Sequence, residues 1–397
     1  MTTLQRIAIN IGSGYVPGLD AVVAGAVLAA KGLGWSVVGI RDGYDGLLFP
    51  DRYPQGGVVN LDAHAIDALG RGGSLLGTAA RTDPFRVRTV NAEHQVEEVD
   101  RSDELLAAMR SSGIDAVVSI VGGSPLTGLH ALSVAFKLQR KGLRTVCVPK
   151  SIENDIASVP QPFGYNSVLS HTAETLERIR TAAQDVGRLA VVEVPGQHAG
   201  WLALQSGMAA LADAVLIPEI PYDPAKVAEA LAAHERAGRR PALVVVAEGA
   251  RPVASAAATA TPADPLRASL TPNADPDLGA GEHVIDRTGA AARSVAVALQ
   301  RQTDRDVLPL ALGHLVRGGA PTAADRQLGL AYGAAAVRAL QAGEAGVLVA
   351  FQAPELKCVP LAEALNRVRT IPPSSELVQV ARSLGIAFGD QDQRARP

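Results

Sequence analysis

Cysteine is scarce. Cys147 and Cys358 are the only two in 397 residues and lie far apart, which excludes a disulfide-stapled scaffold and suits a reducing compartment. Cys147 sits in the apolar run TVCV, where a buried thiol is expected. Aromatics make up 4% of the chain, too few for an aromatic-rich sandwich core. No apolar run reaches the ~18 residues of a membrane helix, and MTTLQRIAINIG passes straight into a strand pattern without a signal peptide's charged start and long apolar core. A soluble, cytoplasmic protein is therefore expected. Neither sign of charge dominates: the net charge is −3, and Lys and Arg are dispersed, so the partners expected are small molecules, with no nucleic acid and no membrane. The histidines show no metal-ligand spacing, so no zinc site is expected. No repeat of solenoid period is present.

What the chain has is apolar residue, 47% of the total, with abundant alanine and glycine, a composition for helices packed closely on sheets. Short apolar runs recur: RIAINIG, SVVGI, DAVVSIVGG, RTVCVP, RLAVVEV, ADAVLIP, PALVVVAEG and VLPLALG. They are separated by amphipathic stretches such as SDELLAAMRSSG and NSVLSHTAETLERIRTAAQDVG. The alternation predicts parallel strands with crossover helices. The length exceeds what one core usually supports. The expectation is an α/β fold of two lobes, each with a mainly parallel sheet flanked by helices. Residues 251–284, rich in Ala, Pro, Thr and Asp without periodicity, are expected to form a low-complexity surface excursion rather than core.

Parallel sheets gather ligands where strand C-termini meet helix N-termini, because free backbone N–H groups and the helix dipole favour anions there. The first strand runs into IGSGYVPGLDAVV, where Gly12, Gly14 and Gly18 allow close backbone approach. A tight strand-to-helix connection explains such a turn equally well. A second one, VGGSPLTG at residues 121–128, strengthens the phosphate-binding reading. VPKSIENDI then places a lysine, a hydroxyl, two carboxylates and an amide within Lys150 to Asp155. That set suits deprotonation of a hydroxyl beside an anionic donor. The alternative is that Asn154 and Asp155 cap a turn or helix and Lys150 is merely exposed. LGHLVRGGAPTAADR carries His314 and Arg317 before two glycines, a cation pair suited to a sugar phosphate.

In order along the chain, PGLDAVV, VVGIRDGYDGLL, GGSLLGTAARTDPF, VPKSIENDI, FGYNS, VVEVPGQHAGWLALQSG, IPEIPYD, VVAEGA and LGHLVRGGAPTAADR resemble the phosphofructokinase family. The likeness is narrower still to its actinobacterial branch using ATP or pyrophosphate. The resemblance implies a donor-phosphate lobe of residues 1–163 with about 315–365, and an acceptor lobe of 164–314 with about 366–397. It implies phosphoryl transfer with magnesium and a carboxylate base. By match to family motifs, Ser151, Glu153 and Asp155 are the candidate catalytic residues. Gly12, Ser13, Gly14, Tyr15, Arg81, Gly122, Gly123, Ser124 and Lys150 are the candidate donor-binding residues, with Arg81 matching if one residue is inserted before it. Arg188, Gln197, Glu219, His314 and Arg317 are the candidate acceptor-binding residues. Arg188 resembles one the family supplies across a subunit boundary, so a homo-oligomer, dimer or tetramer, is expected.

The departures from the family pattern concern charge. Gly-Gly-Asp of the first turn reads Ser13, Gly14, Tyr15, and the magnesium-associated Asp of the second turn gives way to Ser124, so no metal ligand is assigned. Met-Gly-Arg reads Pro195, Gly196, Gln197, and the arginine six positions before His314 is Leu308. A charge-assisted hydrogen bond contributes roughly 1.5 to 3 kcal/mol, so the ligand expected is a sugar phosphate or a less anionic polyol. Lys150 matches pyrophosphate-type and actinobacterial members. Glu153 lengthens the family's aspartate by one methylene. Three readings follow: a divergent phosphotransferase with poor ordinary activity on ATP and fructose 6-phosphate, a catalytically silent relative that binds a metabolite or a paralogue, and non-kinase chemistry on a phosphorylated ligand.

Overall fold

The computed structural model describes residues 4–12, 14–62, 67, 73–78, 82–90, 94–122, 131–253, 289–365 and 367–391. The chain divides into two compact units, Met1–Val168 with Arg317–Arg369, and Leu169–Val316 with Thr370–Pro397. Each forms its own sheet and core.

The first unit is built on β1 (Arg6–Ile11), β2 (Ser36–Ile40), β3 (Val58–Asn60), β6 (Ala116–Gly122), β7 (Thr145–Lys150), β12 (Val347–Gln352) and β13 (Glu355–Pro360). The sheet order is β13-β12-β7-β6-β1-β2-β3. Pairing is parallel from β12 through β2, and β3 and β13 close the edges antiparallel. The central strands are buried along nearly their whole length, which is why they read as continuous apolar runs rather than alternating ones. A separate hairpin joins β4 (Val87–Val90) to β5 (Val96–Val99). Cys147 is fully buried on β7.

The helices Leu19–Gly32 and Ala323–Gln341 lie backbone against backbone, and glycine permits it. A Cβ at Gly25 would stand 2.2 Å from the Leu330 carbonyl oxygen, and one at Gly333 would stand 2.1 Å from that of Val22. No side chain fits either place.

In the second unit β8 (Leu189–Val194), β9 (Ala214–Leu216), β10 (Leu243–Ala247) and β11 (Val307–Ala311) form a wholly parallel sheet, order β11-β8-β10-β9. Leu189, Val191, Leu216, Val227, Leu231, Val244, Val246, Val295 and Leu299 share its core, contributed by the strands and by the helices Pro224–Arg236 and Ala290–Gln300. Asp223 caps the first of these helices, accepting from Ala225 N at 2.9 Å, with Pro224 in the first turn. Of the 251–284 segment, Pro252 bridges to Tyr222, and residues 254–284 lie outside the described residues.

The eight apolar runs are β1, β2, β6 to β11, all in parallel pairs. The remaining strands include the antiparallel edges and the hairpin, whose exposed positions interrupt the apolar signal. Among the described residues no helix is long and apolar enough to cross a membrane.

Candidate functional site

β7 ends on Lys150, which is 2% exposed, so the reading of this residue as a surface cation does not hold. Its stem is held against β6: a Cβ at Gly122 would stand 2.3 Å from the Lys150 carbonyl oxygen and 2.6 Å from its Cγ. Only glycine fits at 122. The Lys150 ammonium is aimed into the first turn, donating to Gly12 O at 2.8 Å and also to Gly14 O. Gly12 N in turn donates to Ile120 O on β6 at 2.9 Å. Gly14 takes φ +85°, where a side chain is disfavoured. Arg317 reaches the same turn, with Nη1 3.4 Å from Tyr15 O. Burial, and then the Arg317 guanidinium, push the Lys150 ammonium down to about 7. Burial likewise pushes the Tyr15 phenol up.

The residues after Lys150 wrap around one hydroxyl. Ser151 Oγ accepts from Glu153 N and Asn154 N, each at 3.0 Å, and donates to Asp155 Oδ1 at 2.7 Å. Asp155 therefore accepts the hydrogen bond of the serine hydroxyl. Asn154 is in the left-handed region, φ +57°. Its carbonyl accepts from Arg369 Nη1 at 3.2 Å, and the Asp155 carbonyl accepts from Arg369 N at 2.8 Å. Glu153 and Asp155 are buried, 9% and 3% exposed. Two carboxylates two residues apart, on a loop pinned at both ends, form a geometry that can take a proton from a bound hydroxyl.

The second unit has its own polar centre. Glu219 accepts from Gly200 N at 3.1 Å and from Ile371 N at 2.9 Å, and burial raises its carboxyl above the ordinary value against those bonds. A Cβ at Gly249 would stand 1.9 Å from Gln197 O, so the glycine of VVAEGA makes room for the turn that follows β8. Glu193, buried on β8, accepts from Ala292 N at 3.0 Å near the start of a helix.

Gly12, Gly14, Tyr15, Gly122, Lys150 and Arg317 are thus brought together, and Ser151, Glu153 and Asp155 follow directly in chain. Arg188 and Gln197 are not brought together. Arg188 precedes β8 and Gln197 follows it, so the strand's rise separates them by roughly 20 Å. Arg188 is exposed and pairs with Asp306 at 2.6 Å. His314 is exposed on the short helical turn Gly313–Arg317. Ser13, Arg81, Gly123 and Ser124 lie outside the described residues.

Motif reading passed over two polar anchors. Asp325, fully buried, accepts at Oδ2 from both Ser167 N and Ser167 Oγ at 2.6 Å. It joins FGYNS to APTAADR, two quoted motifs whose pairing no local pattern reveals. Arg369 lies in RVRTIPP, which has no periodicity to flag it. Among the described residues no group of three or more His, Cys, Asp or Glu side chains could hold a metal ion.

The phosphofructokinase family profile matches residues 6–340. An ATP-dependent 6-phosphofructokinase of Chloroflexus aurantiacus is 36% identical over 98% of both chains. A pyrophosphate–fructose 6-phosphate 1-phosphotransferase of Amycolatopsis methanolica is 34% identical over 93% of this chain and 97% of its own. Among solved structures, phosphofructokinase from Saccharomyces cerevisiae superposes with TM-score 0.71 at 26% identity, over 96% of this chain and 46% of that longer one. A pyrophosphate-dependent phosphofructokinase from Marinobacter aquaeolei does so with TM-score 0.70 at 18% identity, over 98% and 93%, a likeness of fold.

Proposed function

The chain belongs to the phosphofructokinase family, and we propose that it moves a phosphoryl group from ATP or pyrophosphate to a hydroxyl of a sugar phosphate or related polyol, with Glu153 as general base. The observation that carries this reading is the buried loop from Ser151 to Asp155, held in one shape beside the Lys150–Arg317 turn. The acceptor oxygen attacks phosphorus, its proton passes to Glu153, and the bond to the donor's bridging oxygen breaks. Gly12, Gly14, Tyr15, Gly122 and Lys150 line the donor side, with Ser13, Arg81, Gly123 and Ser124 assigned there from sequence. Gln197, Glu219, His314 and Arg317 are assigned to the acceptor. The exposed position of Arg188, at the opposite end of β8 from Gln197, supports its serving a second copy of the chain, and with it a homo-oligomer.

Magnesium would accompany the donor. An ion carried on the donor's phosphates needs only one or two protein carboxylates beside it. Ser124, Gln197 and Leu308 stand where the family carries charge, and on that ground turnover of fructose 6-phosphate with ATP is low. The same losses favour a second reading, a relative that binds a metabolite without turning it over.

The test begins with thermal-shift titration of ATP, pyrophosphate, sugar phosphates and polyols with and without magnesium, since stabilisation follows affinity and concentration. Glu153→Gln is then compared with wild type on the best pair. Loss of transfer with ligand shifts unchanged supports the base; equal rates sink it; ligand shifts without transfer in wild type select the binding reading.

A further inference from the structure

Asn154 is an unusual holder of a left-handed backbone. An asparagine at positive φ is normally offset by a local hydrogen bond from its own side chain, yet Asn154 Oδ1 is buried and accepts no hydrogen bond among the described residues. The conformation is held from outside. Ser151 Oγ takes the Asn154 N–H at 3.0 Å, and Arg369 Nη1 donates to its carbonyl at 3.2 Å. Arg369 N fixes the next carbonyl, that of Asp155, at 2.8 Å, and Val368 bridges antiparallel to Ile156. The peptide planes that follow Asn154 and Asp155 are thus set by one residue more than 200 positions downstream, while Ser151 holds the plane between Glu153 and Asn154.

From this geometry we propose that Arg369 is a positioning residue: its guanidinium keeps Asn154 at positive φ and so fixes the direction in which Glu153 presents its carboxylate. The consequence for catalysis rests on the assignment of Glu153 as base; the clamp itself does not. Strained backbone at a functional loop persists only when its surroundings over-determine it, and Ser151 and Arg369 supply that from the two sides. Arg369 is half-buried, and burial pulls its guanidinium below the ordinary value, a placement that surface solvation would not favour.

The test separates the two claims. Hydrogen exchange on the full-length protein reads the clamp without any substrate. Arg369→Met keeps the stem and removes the side-chain donor, so the amides of Glu153 and Asn154 should exchange about ten-fold faster, the loss of one charge-assisted hydrogen bond. Amides of β12 and β13 should be unchanged, and Arg369→Lys, which keeps a donor, should recover part of the protection. Should Arg369→Met not fold, Arg369→Lys against wild type carries the comparison, with a rise of about three-fold expected. Unchanged exchange at residues 153 and 154, or an increase spread evenly through the first unit, overturns the proposal. Where wild type transfers a phosphoryl group, kcat should fall about ten-fold or more in Arg369→Met with KM within about three-fold; a change confined to KM overturns the positioning role. If wild type transfers nothing, the base assignment falls and the exchange result alone decides the clamp.

Discussion

Replacing Lys150 by methionine should change how stability depends on pH. Lys150 is buried, and burial with the neighbouring Arg317 guanidinium brings its ammonium from 10.5 down to about 7. Between those values the unfolded chain holds a proton that the folded chain has released, so the unfolding free energy rises with pH by about 1.4 kcal/mol per unit. Below pH 7 both states are protonated and the full penalty of burying the charge is present; above 10.5 both are neutral and it is gone. A single site titrating so adds on the order of 2 to 3 kcal/mol between pH 7.5 and 9.5. Neutral amine still has two N–H groups for Gly12 O and Gly14 O, so those contacts need not be lost on deprotonation. Methionine has no proton to release. It leaves both carbonyls without this donor, an offset of about 1 to 3 kcal/mol each that does not vary with pH.

The difference between wild type and Lys150→Met should therefore widen in favour of wild type by about 2 to 3 kcal/mol across that window. The two tryptophans, Trp35 and Trp201, fall one in each unit. Urea unfolding followed by Trp35 fluorescence in a Trp201→Phe background reports the unit that holds Lys150. Parallel pH curves for the two proteins would refute the reasoning.

Gly333→Ala should lower the stability of the first unit by at least about 3 kcal/mol in the same urea assay, because its Cβ meets the Val22 carbonyl oxygen at 2.1 Å. Gly32→Ala, where nothing lies within 4 Å, should change it by less than about 1 kcal/mol; equal effects would mean that the close helix contact is not what selects glycine. Light scattering at micromolar concentration should give a dimer or tetramer, and a monomer mass would count against Arg188 serving a second copy. A coupled assay with ATP and fructose 6-phosphate should fall well below the ~1 to 100 per second common for kinases, and turnover in that range would show that Ser124, Gln197 and Leu308 are no obstacle.

The elements that were legible in the sequence are those whose cause is local. β6, β7, β8 and β10 are buried on both faces, so AVVSIVG, TVCVPK, LAVVEV and LVVVA announce themselves without context. β12 carries the same signal in VLVAFQ but is not among the eight runs read as strands. β3 and β13 are short or exposed edges, where one face need not be apolar, and their pattern is correspondingly weak.

The chemistry-bearing residues of the candidate site were legible as types, and the order of the motifs was enough to place the chain in its family. Their partnerships were not legible. That Lys150 turns inward to Gly12 and Gly14 rather than outward to water, and that Asp325 grips Ser167, depend on segments 136 to 158 residues apart. Gly333 reads as an ordinary glycine until the opposing backbone is in place, and Gly122, read as part of a phosphate-binding turn, shows its steric cause only against Lys150. Sequence by itself determined which segments bury apolar surface and hence the α/β class, because burial follows from each residue's own affinity for water. Only the tertiary structure decided which polar groups meet, because a hydrogen bond needs its partner within about 3 Å and the chain brings Arg369 to Asn154 only by folding.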